Sequence, residues 1–339
     1  MKKLKKIIYK LFYLALLGTF LIFLGITALN LVDKIVPAPK IERSFGVTFA
    51  PNYATELGLN PETVYQQIID ELKIKKLRLP VYWDQVEPSS GQYNFIQVDK
   101  MLDLAKKNQI QVILALGYKV PRWPECYPPK WAKNLTNSEK EQKILDLIEA
   151  SISHFKNRSE ITAWQIENEP TVNFGICTLN TVPFLEKEIK LAKSLDSRPV
   201  ITTDSGELSY WIIPMQSADL FGTTLYRRVY DKYFGYTSYP YPPLFYRIKQ
   251  FIIKNVFARN SQGIFISELQ AEPWPPAVPL AQLEPKKQAE IFNVEQFQGN
   301  VLFAQKTGFM PAYLWGVEWW YYMKTQGYPE YWEYAKTLF

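Results

Sequence analysis

Histidine and cysteine are nearly missing from this 339-residue chain, which holds one of the first, His154, and two of the second, Cys126 and Cys177. That scarcity argues against a Ser-His-Asp triad, for which the one histidine would have to serve, and against a zinc centre ligated by histidine and cysteine. His154 lies in the middle of an amphipathic stretch, where an imidazole serves packing or the surface. Glycine is sparse too, at 15 residues, and the Gly-rich turn of a dinucleotide-binding fold is missing. No metal and no cofactor is expected, so acid/base chemistry falls to the 33 aspartates and glutamates.

An excess of positive charge is also missing where it would matter. The formal net charge is +6, but Lys2, Lys3, Lys5, Lys6 and Lys10 supply five of those units and leave +1 for the rest. Nothing in that balance favours nucleic acid as a partner. Directly after those lysines, the run from Leu11 to Leu29 has no charged side chain. At about 1.5 Å rise per residue such a run nearly crosses a hydrocarbon core of about 30 Å. A cleaved secretory signal has a shorter apolar region, of about 7–15 residues. The expectation is therefore a cytoplasmic basic segment at 1–10, a transmembrane signal-anchor at 11–32, a stalk at 33–43 and a domain at 44–339 on the extracytoplasmic side, since lysines stay inside. A monomer is expected.

From Ser44 onward, short β-branched or aromatic runs alternate with capped amphipathic segments, the pattern of a parallel sheet with crossover helices. The candidate strands are Phe45–Phe49, Lys76–Leu79, Gln111–Leu116, Ile161–Ile166, Val200–Thr203, Leu220–Leu225, Gly263–Ser267 and Met310–Trp315. Asn60-Pro61 opens one helix, Ser138 with Glu141 reads as a capping box for another, and 97–108, 181–195, 241–257 and 284–307 read as further helices. Eight strands with helices between them close most simply as an α/β (β/α)8 TIM barrel, here preceded by one transmembrane helix. The residues just past the strands are Glu, Asn, Arg, Tyr and Trp, at positions that line a barrel's catalytic face. In an oxidising compartment Cys126 and Cys177, in loops on that face, could pair or stay as thiols.

Two strand ends carry the chemistry: Trp164-Gln165-Ile166-Glu167-Asn168-Glu169-Pro170 on the fourth strand and Ile264-Phe265-Ile266-Ser267-Glu268-Leu269-Gln270 on the seventh. They place two carboxyls on opposite sides of one barrel mouth. Cleaving an acetal needs a proton for the leaving oxygen and a negative group facing the oxocarbenium-like centre. Two carboxyls about 5–5.5 Å apart supply both and allow a covalent intermediate. Glu167 and Glu272 are rival acids, and in a regular strand Glu167 would share a face with Glu169.

These motifs, with Arg78-Leu79-Pro80-Val81-Tyr82-Trp83-Asp84, Val86-Glu87-Pro88 and Gly91-Gln92-Tyr93-Asn94-Phe95 on and after the second strand, resemble glycoside hydrolase clan A, the retaining (β/α)8 glycosidases, with pieces shared by families 5, 39 and 42. Tyr118 and Asp204 stand where clan members often carry a histidine or a second asparagine. The resemblance implies that Glu169 is the general acid/base and Glu268 the nucleophile. Asn168 would bind the sugar 2-hydroxyl, Arg78 and Tyr226 would hold the nucleophile, and Trp315 would floor the sugar subsite. Trp83, Trp274 and the loop acid Glu272 are further substrate-binding candidates. Tyr82, Tyr118, Trp123, Trp131, Trp319, Trp320, Tyr321 and Tyr322 crowd the strand ends, and about half of these aromatics are expected in the core. The implied function is retaining hydrolysis of an oligo- or polysaccharide. An exported transglycosidase of the same mechanism and a non-catalytic carbohydrate-binding barrel are the alternatives.

Overall fold

The computed structural model describes residues 2–179, 181–276 and 278–339. Eight strands, β1 (Phe45–Thr48), β2 (Lys76–Pro80), β3 (Gln111–Leu116), β4 (Ile161–Ile166), β5 (Val200–Asp204), β6 (Leu220–Leu225), β9 (Gly263–Gln270) and β10 (Ala312–Trp315), form a closed barrel. Every pair in it is parallel, with β10 returning to β1. Helices cross between the strands, so each strand is covered outside by helix and inside by lumen and reads as a nearly continuous buried run. The remaining two strands, β7 (Arg228–Asp231) and β8 (Gly235–Ser238), make a hairpin inserted after β6.

The lumen has two layers, because residues two apart on a strand share a face. Ile113, Ala163, Ile201, Phe265 and Tyr313 fill the lower layer as an apolar plug. One step up three of these strands, the inward side chains are polar: Gln165 on β4, Thr203 on β5 and Ser267 on β9, all buried. Arg78 of β2 is buried beside them. The change from apolar to polar marks the floor of the site.

The strand expectations match the observed elements closely, and two helix expectations shift. The capping box of the helix Asn137–Phe155 is Thr136 with Glu139, not Ser138 with Glu141. The same spacing occurs twice within 136–141, and spacing alone does not separate them. The stretch 284–307 is two helices, Pro285–Ile291 and Val294–Thr307, broken where Asn293 and Gln296 form a second capping box. The hairpin falls outside every sequence expectation. Asp231 makes its turn by accepting from the N–H groups of Tyr233 and Phe234, with Gly235 at positive φ closing it.

At the N-terminus a helix runs from Lys2 to Asp33. Its segment Tyr9–Asp33 is long and apolar enough to cross a membrane, as an anchor or as a signal sequence. Its last turns touch the barrel. Asn30 Nδ2 donates to the carbonyl of Pro240 at 3.1 Å, and Leu244 N donates to Asp33 Oδ1 at 2.8 Å.

Candidate active site

The side chain of Arg78 points into the lumen and divides its donors among three partners. Nε bonds Gln165 Oε1 at 2.7 Å, Nη1 bonds Glu268 Oε1 at 2.8 Å, and Nη2 bonds Asn168 Oδ1 at 2.6 Å. A fully buried guanidinium is tolerated only with a counter-charge and filled donors, and this set supplies both. The other oxygen of Glu268 accepts from the Tyr226 hydroxyl at 2.9 Å. With one bond to each oxygen, Glu268 is held in a single orientation at the mouth. Burial and then the charge of Glu268 push the Tyr226 phenol well above its usual range, so it stays a donor.

Glu169 sits across the mouth at the end of β4. Its N–H bonds Thr203 Oγ1 and its Oε1 accepts from Thr224 Oγ1, each at 3.1 Å. Burial comes first, then the negative charges of Glu268 and Glu125, in raising its carboxyl well above the usual range. A carboxyl pushed toward its protonated form thus faces a carboxyl paired with Arg78, the division of labour that acetal cleavage requires.

Glu167 and Glu169 do not share a face, contrary to the expectation for a regular strand. Both adopt positive φ, 59° and 43°, which breaks the alternation. Glu167 turns out of the lumen and accepts from Tyr118 N at 2.5 Å and Lys119 N at 3.0 Å, clipping the loop after β3 to the end of β4. Gly117 leaves room for it, since a Cβ there would collide with Glu167 Oε1. Burial raises the Glu167 carboxyl to about 7, and burial with the charge of Glu167 raises Glu188 beside it. Among the positions given to clan partners, Tyr118 bonds Thr178 Oγ1 and Asp204 accepts from Thr171 Oγ1.

Asn168 takes bonds on its oxygen from Arg78 and from Thr203 Oγ1, and its Nδ2 donates weakly to Glu125 Oε2 at 3.4 Å. Glu125 and Lys119, 3.4 Å apart and both buried, are site residues that sequence reasoning missed. Lys119 Nζ also donates to the carbonyls of Glu169 and Val172 at 3.0 and 2.9 Å, pinning the loop that carries the acid. Burial is the main cause that lifts Glu125 to about 7, Lys119 opposes it, and Glu268 adds to it. The one available signal was its neighbour: Cys126 is bonded to Cys177, tying the loops after β3 and β4 together beside Glu125.

Two substrate-binding expectations need correction. Trp83 is buried behind the mouth, its Nε1 donating to Glu87 Oε2 at 2.7 Å and its ring against Trp131 and Tyr118, so it is packing. Glu272 is not a free loop acid: it forms a two-point ion pair with Arg122, which also reaches Glu318 at 3.1 Å. Trp315 has one face covered, because the Arg122 guanidinium lies 4.3 Å from its centroid, between it and Tyr53. Arg122, from the loop after β3, was missed because nothing local distinguishes it from a surface cation.

Of the crowded aromatics, Tyr82, Tyr118, Trp319 and Trp320 are core. Trp123 is exposed and begins an arc of rings: Trp123 to Phe174 at 5.5 Å, Phe174 to Trp274 at 5.6 Å, and Trp274 to Tyr226 at 5.2 Å. The arc joins loops after β3, β4, β9 and β6 and reaches Tyr226, the partner of Glu268. It gives flat apolar walls with polar edges, a surface to which sugar rings bind.

The family model of Cellulase (glycosyl hydrolase family 5) matches residues 43–193, which contain β1 to β4 and Asn168-Glu169-Pro170. Beta-galactosidase BgaA of Clostridium cellulovorans is 25% identical over 166 residues, covering 43% of this chain and 25% of that protein. Endo-1,4-beta-xylanase A of Phanerodontia chrysosporium is 28% identical over 122 residues, 34% of this chain and 28% of that one. The chain thus spans only about a quarter of the length of these curated relatives. Among solved structures, an endo-beta-1,4-xylanase of family 10 from Gloeophyllum trabeum superposes with a TM-score of 0.52 and 15% identity, over 80% of this chain and 84% of that one. In barrel, strand-end motifs and family profile, the chain is similar to the glycosidases of clan A.

Proposed function

We propose that the chain is a retaining glycoside hydrolase that cleaves O-glycosidic bonds of an oligo- or polysaccharide by double displacement. The observation that carries this reading is the asymmetry of two facing carboxyls: Glu268 paired with Arg78 and Tyr226, Glu169 protonated by burial and its neighbours' charge. In the first step Glu268 attacks the anomeric carbon while Glu169 gives its proton to the departing oxygen. Glycosylation then cancels the charge of Glu268, which removes one of the causes that kept Glu169 protonated. The same carboxyl thereby becomes a base for the incoming water. Asn168 Nδ2 faces the site for the 2-hydroxyl, Trp274 lines the wall, and Trp315 offers its uncovered face as floor.

The test is a panel of 2-fluoro-glycosides incubated with the full chain, followed by mass mapping. We expect a stable adduct on the peptide containing Glu268, and the sugar that labels fastest names the glycone. Labelling of another residue, or none with any sugar that the enzyme turns over, overturns the assignment. Analysis of products for new linkages separates hydrolysis from transfer to a second sugar, for which the arc beyond Trp274 supplies acceptor room. We further propose that the N-terminal helix is an uncleaved anchor, with its lysines in the cytoplasm and the barrel, as a monomer, outside.

A further inference from the structure

We propose that the barrel's catalytic mouth lies against the bilayer, with the tip of the β7–β8 hairpin in the lipid interface, and that the substrate is a glycan carried by the same membrane. The inference rests on the proposed anchor and glycosidase activity. It begins with where the N-terminal helix docks. Asn30 and Asp33, polar residues near the end of an apolar helix, bond Pro240 and Leu244, which belong to the connection after β6 and to the first turn of the helix Pro243–Val256. The Asp33 carboxylate there accepts from an N–H that has no partner within its own helix, and a negative charge suits that end.

Connections after barrel strands lie on the catalytic face, so the anchor ends at that face and not at the base. A 30 Å core takes about 20 residues of helix, and the apolar span Tyr9–Asp33 ends at the docking bonds themselves. This corner of the mouth is therefore at the membrane surface.

The connection between anchor and site carries the hairpin. From Pro240 the chain leads back through Tyr239, whose N–H bonds Arg227 O, to Tyr226 on the nucleophile, and Tyr236 of β8 bonds the carbonyl of Trp274. The base of the hairpin is thus built into the wall of the site, while its tip presents Tyr233 and Phe234 at 77% and 82% exposure with Lys232 beside them. Two adjacent aromatics and a cation on a loop tip are costly in water and suited to the headgroup region. An enzyme and a glycan held in one membrane meet at a high effective concentration.

The test uses the full chain in nanodiscs of phosphatidylcholine and phosphatidylglycerol, with an environment-sensitive dye on a single new cysteine, Phe234→Cys, Phe251→Cys or Lys107→Cys; the native cysteines are bonded to each other. Lys107 is exposed at the end of the helix that leads into β3, on the face opposite the mouth, and Phe251 is 66% exposed on the flank helix. Lipid-borne quencher should reach the dye at 234 and leave those at 251 and 107 unaffected. A dye at 234 as unquenched as that at 107 overturns the proposal, and so does one quenched only at 251, which lays the barrel on its side. In the same discs, Tyr233→Ser with Phe234→Ser should lower turnover of a lipid-tailed aryl glycoside by about tenfold or more, with the soluble aryl glycoside of that sugar unchanged. An unchanged ratio overturns the membrane-borne substrate. If neither glycoside is cleaved, the glycosidase reading itself fails, while quenching still decides the surface.

Discussion

Two pairs of buried glutamates stand back to back at the end of β4. Glu169 faces Glu268 across the lumen, and Glu167, two residues earlier, lies beside Glu188 of the helix Leu185–Leu195. Burial raises Glu169, Glu167 and Glu188 alike. The difference is in what surrounds each pair. The first is open to the mouth and includes a carboxylate paired with Arg78, whereas Glu167 spends its oxygens on backbone N–H groups. A raised carboxyl is thus no mark of catalysis by itself; it becomes one when a cation-paired partner and a cleft face it.

The sharpest way to break that comparison is to neutralise each pair and read rate. Glu268→Gln removes the proposed nucleophile and should cut kcat by about 10⁴-fold or more. Glu169→Gln should cut it by about 10²–10⁴-fold. The loss should be much smaller on dinitrophenyl glycosides, whose leaving group needs no proton. Both variants should fold and melt as cooperatively as the parent. Glu167→Gln and Glu188→Gln should keep turnover within about an order of magnitude. If Glu167→Gln and not Glu169→Gln abolishes activity, the roles on β4 are reversed.

Much of this was legible in advance. The eight strands could be read because a barrel strand covered on both sides is a short, continuous apolar run between capped helices. Glu169, Glu268, Arg78 and Tyr226 could be placed because each lies on or just past such a strand, and the structure brings the four together. What escaped depends on loops. Trp83 and Trp274 look alike in sequence, and only the path of the chain after β2 and β9 puts one in the core and the other in the ring arc. Arg122 and Glu272 look like two surface charges until the loop after β3 folds over Trp315 and joins them. The positive φ at Glu167 has no sequence signal of the kind glycine gives.

The second comparison is of stability, where Glu167 and Glu188 should dominate. Glu167→Gln replaces one of the two side-chain oxygens that accept backbone N–H bonds with an amide donor and should cost about 1–3 kcal/mol in a melting or urea experiment. Gly117→Ala should cost at least as much, since it forces a Cβ onto Glu167 at positive φ. The pH dependence has a definite sign. Glu167 is raised to about 7 in the folded protein, against about 4.3 unfolded. Between those values the folded state binds more protons, so its stability is full below the unfolded value and is lost as pH rises through the folded one. The loss is on the order of 3 kcal/mol for Glu167. Glu188→Gln removes a second carboxyl that burial and the charge of Glu167 raise, and should flatten the fall between about pH 5 and 8 relative to the parent. A difference between the two proteins that grows in the opposite direction would mean that the pair is held ionised.

The smallest effect tests how the two carboxyl pairs differ in their third neighbour, Glu125. Its charge is one of the causes that hold the proton on Glu169, and it ionises near 7. As pH rises through that value, the new charge on Glu125 opposes the loss of the Glu169 proton and prolongs the acid form. Glu125→Gln abolishes the effect, so the alkaline limb of kcat/KM, which reports the free enzyme's acid, should move to lower pH by up to about one unit. The value of kcat/KM at pH 5, where Glu125 is neutral, should change little. A limb that moves upward would place Glu125 among the groups that help Glu169 to ionise. An equal loss at every pH would make it a substrate contact through Asn168.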